Sequence, residues 1–180
     1  MKHRYAFFSA LLATSLMMGC ANTNQELEGS EDLNPIISSA YQAVDRLLTE
    51  PALKQVQGSQ QRVLVASLVD VNQLTQTSLF GKMMAEQLAS RLVQKGVTVV
   101  EVKLRTSLFM TEKSGEMLLS REIKEVGSTH SADAVLVGTY ADAGSSGVYV
   151  TVKLIRTKDA VTLSATNFKI EKRLVASTLR

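Results

Sequence analysis

The chain has 180 residues, 45% of them apolar and 21% charged, which is the content of one globular domain with a sizeable core. Lys and Arg number 20 against 17 Asp and Glu, a net charge of +3, with no tryptophan, two histidines and one cysteine. Those counts exclude a disulfide framework and any zinc site built on two cysteines, and no run reaches the ~18 apolar residues of a membrane span.

The first twenty residues read as an address. Lys2, His3 and Arg4 form a basic start, and Tyr5 to Met18 is apolar except for Ser9, Thr14 and Ser15. These are the basic and apolar regions of a secretory signal, too short for a permanent anchor. The run ends in Leu16-Met17-Met18-Gly19-Cys20, which resembles a bacterial lipoprotein signal. The resemblance implies cleavage after residue 19, a diacylglycerol on the Cys20 sulfur and an acyl chain such as palmitate on its amine. Met17 and Met18 stand where the usual pattern has Leu and a small residue, and Leu16 sits one place early. Buried acyl chain contributes about 0.8 kcal/mol per CH₂, so three chains hold far more firmly than one. Ala21 follows, and the absence of Asp at that place favours the outer membrane. Loss of Lys2 and Arg4 leaves 18 basic and 17 acidic residues, a net of +1. A chain so near neutrality is no electrostatic binder of nucleic acid.

Residues 20–34 are polar and acidic and read as a lipidated N-terminus with a flexible tether. Residues 35–180 are expected to form the domain. Asn34-Pro35 is a helix start, and Ile36, Ile37, Ala40, Tyr41, Val44, Leu47 and Leu48 recur at helical spacing up to Glu50-Pro51. That stripe can pack on its own domain or on a partner helix. Residues 52–61 read as a polar connector. Residues 62–69 are a nearly continuous apolar run, as in a strand covered on both faces. A loop over 70–77 precedes a helix from Ser78 to about Lys95, stopped by Gly96. Residues 97–104 alternate as a second strand. A third helix fits 115–126, followed by a buried strand over 134–140, a turn cluster over 142–147, a strand over 148–155, a hairpin tip at Lys158-Asp159 and a strand over 161–170. The order predicts an α/β (α+β) domain: a three-to-five-stranded mixed sheet with about three helices.

The chemistry of an enzyme is hard to find here. With His3 lost, His130 is the only histidine, and it reads as a surface residue in a helix-to-strand connection. Gly81-Lys82 lacks the remaining parts of a phosphate loop and lies inside a helix. Gly138 to Gly147 joins two strands. Acids are scattered singly, including Glu86, Glu101, Glu116, Glu122 and Glu125. Met83 and Met84 fit core packing better than an adaptable binding face. Glu112-Lys113 and 169–173 are mixed-charge surface. No catalytic, cofactor-binding or metal-ligating residue is singled out; the one functional residue is Cys20, through its lipid.

Several segments then carry a resemblance. Ser67-Leu-Val-Asp70, Ser78-Leu-Phe-Gly81, Glu86-Gln-Leu88, Val99-Val-Glu-Val102, Leu118-Leu-Ser-Arg-Glu122 and Val135-Leu-Val-Gly-Thr-Tyr140 occur in the order of the FlgO flagellar outer-membrane lipoproteins. The resemblance covers roughly residues 36–170. It implies a periplasm-facing outer-membrane lipoprotein of the flagellar basal body, needed for flagella and motility, working beside ring and accessory proteins and possessing no catalytic residues. It also implies a fold similar to the N-terminal module of TolB. Read from the residues alone, Gly138 is a close-packing position in a strand, Arg121-Glu122 is helix-surface charge, and Asp70 and Ser78 cap a loop and a helix. The competing function for such an anchored module is regulation of an envelope enzyme such as a peptidoglycan synthase.

Overall fold

Asn34 caps the first described helix by accepting the amide of Ile36 on its side chain at 3.0 Å, with Pro35 as the first helical residue. The computed structural model describes residues 34–56, 61–74, 77–100 and 116–179. Cys20, the signal and the tether lie outside them, as do residues 101–115. Helix α1 (Pro35–Leu47) buries Ile36, Ala40, Ala43, Val44 and Leu47, against α3 (Leu79–Gln94) and β6 (Thr162–Ile170). Its stripe therefore packs on its own domain. The α1–α3 seam is closed at its polar rim, where Asp45 meets Arg91 at 2.8 Å and Lys95 at 3.0 Å. These cations, Arg91 foremost through its hydrogen bond, hold the Asp45 carboxyl below its ordinary range.

Among the described residues six strands, β1 (Arg62–Val65), β2 (Val69–Asp70), β3 (Thr98–Val100), β4 (Ala134–Asp142), β5 (Val148–Arg156) and β6, form one mixed sheet in the order β3-β1-β4-β5-β6, with β2 beside β4. β1 pairs in parallel with β3 and with β4, and β2 continues along β4. β5 and β6 extend the sheet as an antiparallel meander. On one face Leu136, Tyr140, Val148, Val150, Val152 and Leu154 meet α1 and α3 in the main core. On the other, Leu64, Val135, Val137 and Ile155 pack with Ile123 of α4 (Glu116–His130). The two α/β crossovers and the terminal meander agree with the predicted class.

Four details differ from expectation. The sheet has six strands rather than three to five, because the run over 62–69 is broken. After Ala66, whose amide still donates to the Leu136 carbonyl at 3.0 Å, the chain leaves the ladder: the Leu68 amide donates to the Gly81 carbonyl at 3.2 Å and its carbonyl accepts the Thr77 hydroxyl at 2.8 Å. Second, part of the polar connector is a helix, α2 (Glu50–Val56), with Ala52 and Val56 buried one turn apart. Pro51 stands in its first turn, where a missing amide costs nothing. Third, α4 runs four residues past Val126 and ends only when Ser131 takes the left-handed conformation, φ 50°. His130 is thus the last residue of a helix rather than part of a connection. Fourth, β6 is followed by a one-turn helix α5 (Lys172–Val175) that buries Val175. Among the described residues the α-helices are therefore four of seven residues or more plus this turn, rather than about three. Of the strand predicted over 97–104, residues 101–104 lie outside the described ones.

Candidate functional site

Three of the six segments that carried the resemblance, 67–70, 78–81 and 135–140, meet at one place, where the break between β1 and β2 reaches the start of α3. Ser78 caps α3 by accepting the Gly81 amide at 3.2 Å, and the Tyr140 hydroxyl donates to the same Ser78 oxygen at 2.7 Å. Phe80 and Tyr140 stack edge to face with centroids 5.1 Å apart, a geometry favoured by the ring quadrupoles. Gly138 lies beneath the Leu68 side chain; a Cβ there would stand 2.7 Å from Leu68 Cγ. A Cβ on Gly81 would strike the Leu68 carbonyl. Asp70 closes a turn on itself, its Oδ1 accepting the Asn72 amide at 2.7 Å. Chemically this junction is a latch. Tyr140 and Phe80 are sealed from solvent, and each of these polar groups is used by a neighbour. The reading of Gly138 as a close-packing position and of Ser78 as a cap holds.

The remaining candidates are dispersed. Met84 is buried and Met83 half-buried against the main core, so both serve packing. Glu122 is half-buried on α4, and burial first, then the charge of Glu125, pushes its carboxyl up. His130 is half-buried at the end of α4. Lys172 pairs with Asp142 at 2.8 Å and Arg173 with Glu171 at 2.6 Å, so the charges after β6 are surface pairs. Among the described residues, no three His, Cys, Asp or Glu side chains are placed to hold a metal ion. Cys20, Glu101 and Glu112-Lys113 lie outside the described residues.

A second location was not anticipated. At the edge where β1 begins, the last turn of α4, residues 131–133 and the β5–β6 turn enclose an open cleft of about 560 Å³. Its floor is rigid. Thr157, buried among apolar neighbours, donates its hydroxyl to the Ala132 carbonyl at 2.7 Å and its amide to the Asp133 carbonyl at 2.9 Å. Gly127 lies so close to Thr157 that any side chain on it would collide. Asp133 Oδ2 accepts the Arg62 amide at 2.9 Å, and the Asp133 amide donates back to the Arg62 carbonyl at 2.8 Å. Around this floor stand Arg62, Lys124 and Lys158. These residues are far apart in sequence and meet only through strand pairing. No local signal marked the place, because the helix predicted over 115–126 ends just before Gly127.

Comparison with known proteins decides the family. The family model described as "FlgO protein" matches residues 41–175. The chain belongs to the FlgO family. The FlgO match starts within α1 and ends at the last residue of α5, so it takes in all six strands of the sheet. No curated protein matches the chain. Among solved structures, the LpoB C-terminal domain from Escherichia coli is similar with a TM-score of 0.49 at 14% identity, covering 73% of this chain and 98% of that one. The same domain from Salmonella enterica gives 0.46 at 16% identity, covering 77% and 94%. Lipoprotein GNA1162 from Neisseria meningitidis gives 0.42 at 20% identity, covering 61% and 79%.

Proposed function

We propose that this protein is a non-enzymatic outer-membrane lipoprotein of the flagellar basal body. The observation that carries this reading is membership of the FlgO family across residues 41–175. The lipobox-like sequence ending at Cys20 supplies the anchor, the acidic stretch to Asn34 the reach, and the α/β domain the docking body. An anchored domain meets its partners at high local concentration, and several copies around a ring multiply weak contacts into a stable one. The partners are ring and accessory proteins of the flagellar base, with this protein as one copy in a ring.

The test is a deletion strain carrying either the wild-type copy or none. Expected are loss of swimming in soft agar and missing or unstable flagella by electron microscopy, both restored by the wild-type copy. Normal swimming without the protein would sink the reading. Cell-wall synthases recovered in a pull-down, in place of basal-body proteins, would then favour the regulatory role. A second arm tests the anchor: Cys20→Ala should move the protein from the outer-membrane to the soluble periplasmic fraction. Retention in the membrane would mean that the lipid is not the main anchor.

A further inference from the structure

We infer that the cleft between the end of α4 and the β5–β6 turn binds an amino-acid-like ligand, one carrying carboxylates together with an ammonium group. Arg62, Lys124 and Lys158 line it, and among the described residues no carboxylate pairs with any of the three side chains. Elsewhere on the described surface, cations such as Arg91, Lys95, Arg156, Lys172 and Arg173 do meet an acid. Three unneutralised cations on one concavity are suited to carboxylate oxygens, which form short charge-assisted hydrogen bonds.

The cleft lies at a helix C-terminus, whose carbonyls ordinarily repel anions. Here two of the last four carbonyls, those of Gly127 and Ser128, already accept a backbone amide. The Ala132 amide donates to the Gly127 carbonyl at 2.9 Å, the Ser131 amide to the Ser128 carbonyl at 3.4 Å, and the Ser128 hydroxyl to the Glu125 carbonyl at 2.8 Å. Among the described residues no hydrogen bond runs from the Arg62, Lys124 or Lys158 side chain to these carbonyls, so the cations are left for a ligand.

Asp133 sets the ligand class. Its Oδ2 is held by the Arg62 amide, which fixes the carboxylate in place, while Oδ1 has no hydrogen-bond partner among the described residues. A fixed negative oxygen within a basic cleft disfavours a dianion such as phosphate and suits an ammonium carried beside carboxylates. The volume of about 560 Å³ lies within the ~300–1,000 Å³ of small-ligand sites. The Thr157–Gly127 floor supplies the rigidity that keeps the cost of ordering low.

The experiment is a saturation-transfer NMR titration of the full mature protein in detergent. Glutamate is the probe, glutarate the analogue without an ammonium, and inorganic phosphate the competitor. Glutamate should bind saturably in the millimolar range and glutarate several-fold more weakly. A tenfold excess of phosphate should not displace glutamate. Lys124→Gln with Lys158→Gln, both exposed and outside the core, should weaken glutamate at least about tenfold while the thermal melt is unchanged. Asp133→Asn keeps an acceptor for the Arg62 amide and should abolish the preference for glutamate over glutarate. Absence of saturable binding, binding indifferent to the two lysines, equal affinity for glutarate or ready displacement by phosphate would each overturn the proposal.

Discussion

Gly138 shows how a single missing side chain organises this domain. It sits in the middle of β4, where glycine ordinarily weakens a strand, and the space above it is filled by Leu68 from the break between β1 and β2. That packing lets the chain leave the ladder after Ala66 and return at Val69, with the Leu68 backbone handed to Gly81 and Thr77. Gly138→Ala should therefore cost about 1–3 kcal/mol, the range for forcing an extra carbon into a packed site. The loss should shrink when Leu68→Ala is made in the same chain, because the two changes share one space. Urea melts of the two single variants and the double variant check this, and strict additivity would refute the shared-space account. Of this junction, the individual roles of Gly138 and Ser78 were legible in the sequence. Their meeting with Tyr140 was not, because the hydroxyl contact spans 62 residues.

At the scale of elements, legibility follows the range of the forces. β4, β5 and β6 were read to within two residues, since the pattern of each strand, a continuous buried run in β4 and alternation in β5 and β6, is written locally. The elements that were missed depend on distant partners. Glu50-Pro51 reads equally as the end of one helix or the first turn of the next, and only the burial of Ala52 and Val56 selects the second. Gly127 reads as a helix stop, yet α4 passes through it because the glycine is required by Thr157. The cleft was hidden for the same reason: Arg62 and Asp133 are joined by the parallel pairing of β1 with β4. Helix α2 is testable. Val56 is fully buried, so Val56→Ala should lower stability by about 2 kcal/mol, the transfer and cavity cost of a buried aliphatic side chain. A residue in an exposed polar connector would change stability by under about 0.5 kcal/mol, so a loss of that size would remove α2 from the core.

For the whole molecule, charge pairs brace at the surface elements that the core also holds together. Asp45 joins α1 to α3 and Asp142 joins the end of β4 to α5, while Asp159 braces the β5–β6 turn through Arg156 at 2.7 Å. Each carboxyl is held below its ordinary range by the hydrogen bond from its cation, the largest cause in each case, and Asp159 is brought down to about 2. Such groups resist protonation in the folded chain. Their stabilisation is present above the unfolded carboxylate range near pH 4 and is lost as pH falls through the folded values. Glu122 has the opposite sign. Its raised carboxyl takes up a proton before its unfolded counterpart does, so its penalty is relieved as pH falls toward 4. Stability should therefore hold or rise slightly between pH 7 and about 5, then decline between about 4 and 2. The decline should be gradual, because exposed pairs contribute little each, and shallower at high salt. Urea melts at intervals from pH 7 to 2 measure the curve. A variant with Asp45→Asn, Asp142→Asn and Asp159→Asn should flatten its acid limb and leave the rise due to Glu122. If that limb kept its slope in the triple variant, acid sensitivity would have to lie in carboxylates other than these, and the three pairs would be decoration on a fold held by its two apolar cores.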